Sequence, residues 1–187
     1  MHRLVLHPRN SEYAPPSWRV IIEALRDIGF ISEAFGARPD LCYFAGEKFL
    51  QLVTFMGCSP AINLIPNDKN TTESCYIQFK PIGDVVFRYT RQQEVRALCP
   101  QCGARVISWR ALVEHWGNDL ENTQFVCEKC AVHDSIYHLR WREKAGFARL
   151  FIDVCNIYPQ EGIPTDQLLA LLERVTQQKW CYFFTNN

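Results

Sequence analysis

The sequence predicts an α+β protein: a mostly antiparallel sheet, an N-terminal and a C-terminal helix packed on it, and a cysteine module inserted in the middle. Three observations carry this. Segments of strand character lie on both sides of residues 91–132. A stretch of helical period stands near each end of the chain. Two Cys-x-x-Cys pairs sit between these flanks.

The chain begins with "MHRLVLHPRN", a short apolar patch cut by His7 and Pro8. It is too short for the apolar core of a secretory leader and has no small-residue cleavage site. In "PPSWRVIIEALRDIGF", Trp18, Ile21, Ile22, Leu25 and Ile28 recur at spacings of three and four. That predicts a helix capped by Ser17 and ended by Gly29. Residues 49–56 are apolar on both alternate faces, which predicts a central strand covered on both sides. Residues 57–60 then suit a tight turn, and 61–65 a return strand. "CYIQFK" and "DVVFRYT" alternate like two further strands, joined at residues 81–83 into a meander.

Inside the module, "ARVISW" suggests a strand and "RALVEHW" one or two helical turns. Beyond it, "DSIYHLRW" and "FARLFIDVCNIYP" are expected as strands. Thr165 is the expected cap of the second helix, whose buried stripe is Leu168, Leu171, Leu172 and Val175. "WCYFFT" closes the chain as a strand. Strand, helix and strand in this order suggest a crossover unit with parallel strands. The organisation expected is residues 1–90 as helix and meander, 91–132 as the module, and 133–187 as a strand-helix-strand segment completing the same domain.

Composition narrows the function classes. Nearly half of the 187 residues are hydrophobic, so a packed core is within reach. Lys plus Arg equals Asp plus Glu, so no global field steers the chain toward nucleic acid or anionic lipid. No apolar run approaches a membrane span. Nine cysteines cannot all pair within one chain. Five of them, Cys42, Cys58, Cys75, Cys155 and Cys181, are scattered singly in apolar surroundings, as free thiols are in a reduced compartment. A cytoplasmic protein is the expectation.

The other four, Cys99, Cys102, Cys127 and Cys130, have metal-ligand spacing. Two residues between cysteines let both thiolates of one turn face one ion, and two such turns complete a tetrahedron. The first turn, "CPQCG", resembles the knuckles of zinc ribbons, with Gly103 free to take positive φ just after the second ligand. The resemblance covers residues 98–132, and the 24-residue spacer implies an insertion around Trp109 and Trp116. It implies one structural Zn²⁺, since four thiolates close the shell, whereas a catalytic zinc keeps a position open. His115 and His133 lie nearby in sequence and fit structural roles better than ligation.

No Ser-His-Asp set, phosphate-binding glycine loop or His-Glu-x-x-His motif is present. The expected function is therefore a zinc-binding accessory or adaptor protein that recognises a protein or peptide partner, with "ISWRALVEHW" as a contact surface. Trp109 and Trp116 would either join that surface or pack within the module. Two rivals remain. Segments 88–96 and 137–149 mix Arg with aromatics, as single-stranded nucleic-acid binders do. Yet from Arg88 to Arg149 ten Lys/Arg face seven Asp/Glu, and a tetrathiolate zinc would reduce that excess further. An enzyme centred on Cys58 in "GCSP" is the second rival, with Asp153, Glu161 or Asp166 as acid–base partners.

Overall fold

The computed structural model describes residues 2–36, 41–55, 62–64, 74–158 and 162–186. In chain order its elements are β1 (Arg3–Pro8), α1 (Trp18–Asp27), β2 (Ile31–Ala34), β3 (Cys42–Ala45), α2 (Phe49–Leu52), β4 (Val53–Phe55), β5 (Tyr76–Tyr89), β6 (Ala97–Leu98) and β7 (Arg105–Val106). They continue with α3 (Trp109–Asn118), β8 (Gln124–Val126), β9 (His133–Ser135), β10 (Ala145–Cys155), β11 (Gly162–Pro164), α4 (Asp166–Thr176) and β12 (Trp180–Thr185).

The protein is α+β, as expected. Six strands form one sheet in the order β12-β1-β10-β5-β3-β2, with antiparallel neighbours throughout. β10 and β12 do run parallel to each other, but β1 lies between them. β1 and β5 are likewise parallel, with β10 between. Each terminal helix thus belongs to a split β-α-β unit, and the two units interlock. Both helices contribute to one core: Ile21 and Leu25 of α1 and Leu168 and Leu172 of α4 meet Leu4, Leu6, Ile77, Phe79, Ile152 and Val154 of the sheet.

The helix caps follow the local sequence. Ser17 accepts a hydrogen bond from the Arg19 amide, and Gly29, at φ +78°, ends the first helix. Thr165 accepts from the Leu168 amide. Elsewhere tertiary context overrides local pattern. β1 had looked only like an interrupted apolar patch. It is a central strand, paired on both sides, and Leu4, Val5 and Leu6 are buried because both faces of the sheet are covered there.

The strand expected over 49–56 is instead one helical turn, α2, followed by the short β4, which pairs with β11 outside the main sheet. Phe49 and Leu52, three apart, are the residues it buries. Residues 62–64 are not in a strand, and the rest of the expected turn and return strand lies outside the described residues. The segment "DSIYHLRW" is a strand only to Ser135. There the Ser135 hydroxyl accepts from the Tyr137 amide and starts a 3₁₀ turn.

β5 corrects the meander. "CYIQFK" and "DVVFRYT" are one strand, both halves pairing with β10 in the same direction. The interruption at Pro81 is a bulge: between Ala148 and Leu150 on β10, the partner positions move from Val86 to Pro81. Proline cannot donate to the ladder, and Arg149 fills the gap by donating to the Gly83 carbonyl.

The bulge bends the hairpin sharply. Thr185 lies opposite Arg3, and Arg3 opposite Cys155. Tyr89 lies opposite Ala145, at the far end of β10, roughly 33 Å away in a straight strand. Yet the Thr185 hydroxyl donates to the Tyr89 carbonyl at 3.2 Å. The outer part of β5 and β10 therefore folds back over the second sheet face, as bulges permit. Beneath it a small core forms from Val5, Ala148, Phe151 and Phe183.

Asp153 is fully buried on this second face. Arg88 holds it with two hydrogen bonds of 2.6 and 2.9 Å, and Arg3 and Lys80 reach it at 2.9 and 3.1 Å. Burial alone would raise its pKa. The hydrogen bonds and charges of Arg88, then Lys80, hold it below the usual carboxylate range instead.

Candidate metal centre

The module hangs on the outer side of the bent hairpin. Phe87 of β5 and Phe147 of β10 point outward and nucleate a second core with Trp109, Trp116, Phe125, Leu139 and Trp141. Trp116 meets Phe147 edge-on, with ring centroids 5.0 Å apart, and its indole N–H donates to the Tyr137 hydroxyl. Trp109 meets Trp141 edge-on at 5.6 Å. Both helix tryptophans are buried, at 4 and 5 % exposure, so they pack the module and are not contact residues. The helix α3 that carries them is longer than the one or two turns expected.

Each cysteine pair forms the turn of a short hairpin. β6 and β7 flank Cys99–Cys102, and β8 and β9 flank Cys127–Cys130. The two turns have the same hydrogen bonds. Cys99 N–H donates to the Ala104 carbonyl and Gly103 N–H to the Cys99 carbonyl. In the second turn, Cys127 N–H donates to Val132 and Ala131 N–H to Cys127. The residue after the second cysteine has positive φ in both, +70° at Gly103 and +55° at Ala131. Only the first of these was legible, because the second position carries no glycine.

The four sulfurs lie within 4.8 Å of one another. The pairs Cys99–Cys130 and Cys102–Cys127 are 3.8 Å apart, far beyond a disulfide. A tetrahedron with arms of about 2.3 Å has edges of about 3.8 Å, so the spacing fits a zinc tetrathiolate. The chemistry of the donors fits too. Amides of Cys130 and Lys129 point at the Cys127 sulfur and lower its pKa to about 6. Cys130 goes the other way, to about 12: the Val132 amide favours its thiolate, but desolvation and the neighbouring sulfurs outweigh that amide. Four thiolates this close repel one another and coexist only around a cation. His115 lies instead against Asn122, at 2.9 Å, and His133 is exposed on β9; neither joins the sulfur group.

The module is tied back to the sheet through Arg140. Its backbone exchanges two 2.9 Å hydrogen bonds with Leu98, and its guanidinium donates to the Cys99 carbonyl at 3.2 Å. The cations singled out for nucleic acid are largely engaged. Arg88 binds Asp153, Lys144 binds Glu94 and Arg149 binds Gly83. Their aromatic companions Trp141 and Phe147 are buried. Of the acid–base candidates, Asp153 is enclosed by cations, Asp166 opens α4, and Glu161 lies outside the described residues. Cys58 also lies outside them. No described helix is long and apolar enough to cross a membrane.

Comparison of the chain with protein-family models, with curated proteins and with solved structures gives no match.

Proposed function

We propose that the chain is a zinc-binding accessory protein that recognises a protein or peptide partner, with the zinc in a structural role. Cys99, Cys102, Cys127 and Cys130 would hold one Zn²⁺, whose contribution is to fix the two hairpin turns against each other. Four sulfurs leave no position for substrate or water, so the ion does no chemistry.

One observation supports the partner reading. The two hairpins present large apolar side chains to solvent: Ile107 is 73 % exposed and Val126 53 %. Val126 lines a shallow cavity with Val106 and Cys127 beside the metal turns, and Ile107 follows Val106 in the chain. A rigid, zinc-fixed tip with exposed aliphatic groups suits a protein contact better than a solvated end.

The test is affinity purification from the native organism with the wild-type chain and with a double variant, Ile107→Asp and Val126→Asp. The wild type should carry about one zinc and a stoichiometric partner. The variant should keep the zinc and lose the partner. Equal capture by both, or no partner on the wild type, would sink this reading of the surface. The nucleic-acid rival is less favoured, because Trp141 and Phe147 are buried and Tyr137 is half-buried, which leaves Tyr89 as the exposed aromatic among the described residues of its two segments.

A further inference from the structure

A cavity of about 560 Å³ lies where the module meets the ends of β1 and β12. This is the size of a small-ligand site. Its walls include Trp141, Phe147, Trp180 and Tyr182, and its charged lining includes Arg9 and Arg142. Three observations point to a ligand and to its chemistry.

The first is the aromatic wall. Trp141, Phe147, Trp180 and Tyr182 gather around one cavity and offer ring surface to an aromatic ligand. The second is strain at the rim. Arg142 and Glu143 both take positive φ, +47° and +57°, in a turn closed by the Lys144 amide donating to the Trp141 carbonyl at 3.1 Å. Such a turn ordinarily carries Asn or Gly, and each ordinary residue there costs about 1 kcal/mol. Strain of this kind gathers at ligand clamps.

The third is the balance of unused polar groups. The two acids on the lining are engaged, Glu143 with the Tyr182 hydroxyl and Asp134 with His138 at 2.6 Å. The Arg140 guanidinium donates to Cys99. Among the described residues, Arg9 and Arg142 form no ion pair. His7 Nε2 is left as a neutral acceptor, but the charged capacity left over, on Arg9 and Arg142, donates, so the ligand must bring an acceptor for it.

We propose that this cavity binds an aromatic carboxylate, its ring between the Trp141, Trp180 and Tyr182 walls and its carboxylate on Arg9 and Arg142. A planar guanidinium matches a carboxylate with paired hydrogen bonds. The chain's formal net charge is zero, so no long-range field draws an anion to the cavity. Recognition then rests on direct contact, not on steering. The carboxylate can belong to a free aromatic acid or to the C-terminal aromatic residue of a peptide. The inference stands on the cavity and not on the exposed tip, so either can fail alone.

The experiment titrates the zinc-loaded full chain by calorimetry and tryptophan fluorescence. The probes are 2-naphthoate and its neutral isostere 2-naphthamide, and acetyl-Gly-Gly-Phe with a free or an amidated C terminus. At least one carboxylate should bind saturably at one site, with its amide tenfold or more weaker. Naphthoate alone assigns the site to free acids, and the peptide acid alone assigns it to a partner's C terminus. The double variant Arg9→Gln, Arg142→Asn should bind at least tenfold more weakly with a melting temperature no lower than the wild type's, since Asn suits the positive φ of Arg142. Carboxylate and amide binding alike, no carboxylate binding, or a double variant that binds like the wild type would each overturn the proposal.

Discussion

His7 shows what a single residue's surroundings decide. In sequence it only interrupts an apolar patch. In the fold it lies under the bent hairpin, its ring between Phe151 and Phe183, and a Cβ added to Gly146 would strike it. Burial keeps the imidazole neutral and lowers its pKa to about 4; the Pro8 carbonyl, accepting from Nδ1, opposes this, and the charge of Arg88 adds to it. Above pH 6.5 both folded and unfolded states are neutral at His7. Below it the unfolded chain takes up a proton that the folded chain refuses, so stability falls as pH drops toward 4. The expected loss is on the order of 3 kcal/mol across that window. Urea unfolding at pH 7, 6 and 5 of the wild type and of His7→Gln checks it. Zinc loss in acid is common to both, so the difference isolates His7; parallel curves would refute the assignment. Asp153 teaches the same lesson with the opposite sign of charge. In sequence it is one acid in an apolar run, but the three cations around it come from two other strands, Arg3 from β1 and Lys80 and Arg88 from β5.

At the scale of elements, the amphipathic helices were the most legible parts. Their period and caps are local properties, and Ser17, Gly29 and Thr165 act where the pattern places them. Strands were less legible. Residues 49–55 had a strand's composition but are divided between a helical turn and β4, and 76–89 had a turn's residues inside one continuous strand. Proline and glycine signal an interruption, and whether the chain reverses or bulges depends on the partner strand. The two metal turns offer a paired test. Ala131 and Gly103 occupy equivalent positive-φ positions. Ala131→Gly should stabilise the module by about 0.5–1 kcal/mol, since glycine takes that conformation without a steric cost. Gly103→Ala should destabilise it by about 1 kcal/mol or more, because its Cβ would also lie 3.3 Å from the Arg140 guanidinium. Chemical unfolding of the zinc-loaded proteins measures both. Shifts of the same sign at the two sites would contradict their equivalence.

For the whole molecule, the two cores share the β5–β10 hairpin. One side of it supports the helices, and the outer side supports the tryptophan cluster above the metal turns. Removing zinc should therefore spread damage unevenly. Chelation, or Cys99→Ser, should erase most of the near-ultraviolet dichroism, because Trp109, Trp116 and Trp141 lie in the module core. Far-ultraviolet signal from the sheet and terminal helices should persist, with a lower melting temperature. A chelated protein with unchanged near-ultraviolet signal and melting temperature would show that the module holds itself together. The sequence by itself determined the fold class, the two helices and the four cysteines, because helical period, capping and ligand spacing are short-range features. Only the tertiary structure decided that β1 is central, that the hairpin folds back on the sheet, that Trp109 and Trp116 face the core, and that a cavity opens beside Trp141. Each of those depends on segments brought together from distant parts of the chain, and burial is a property of the neighbours a residue acquires, not of the residue alone.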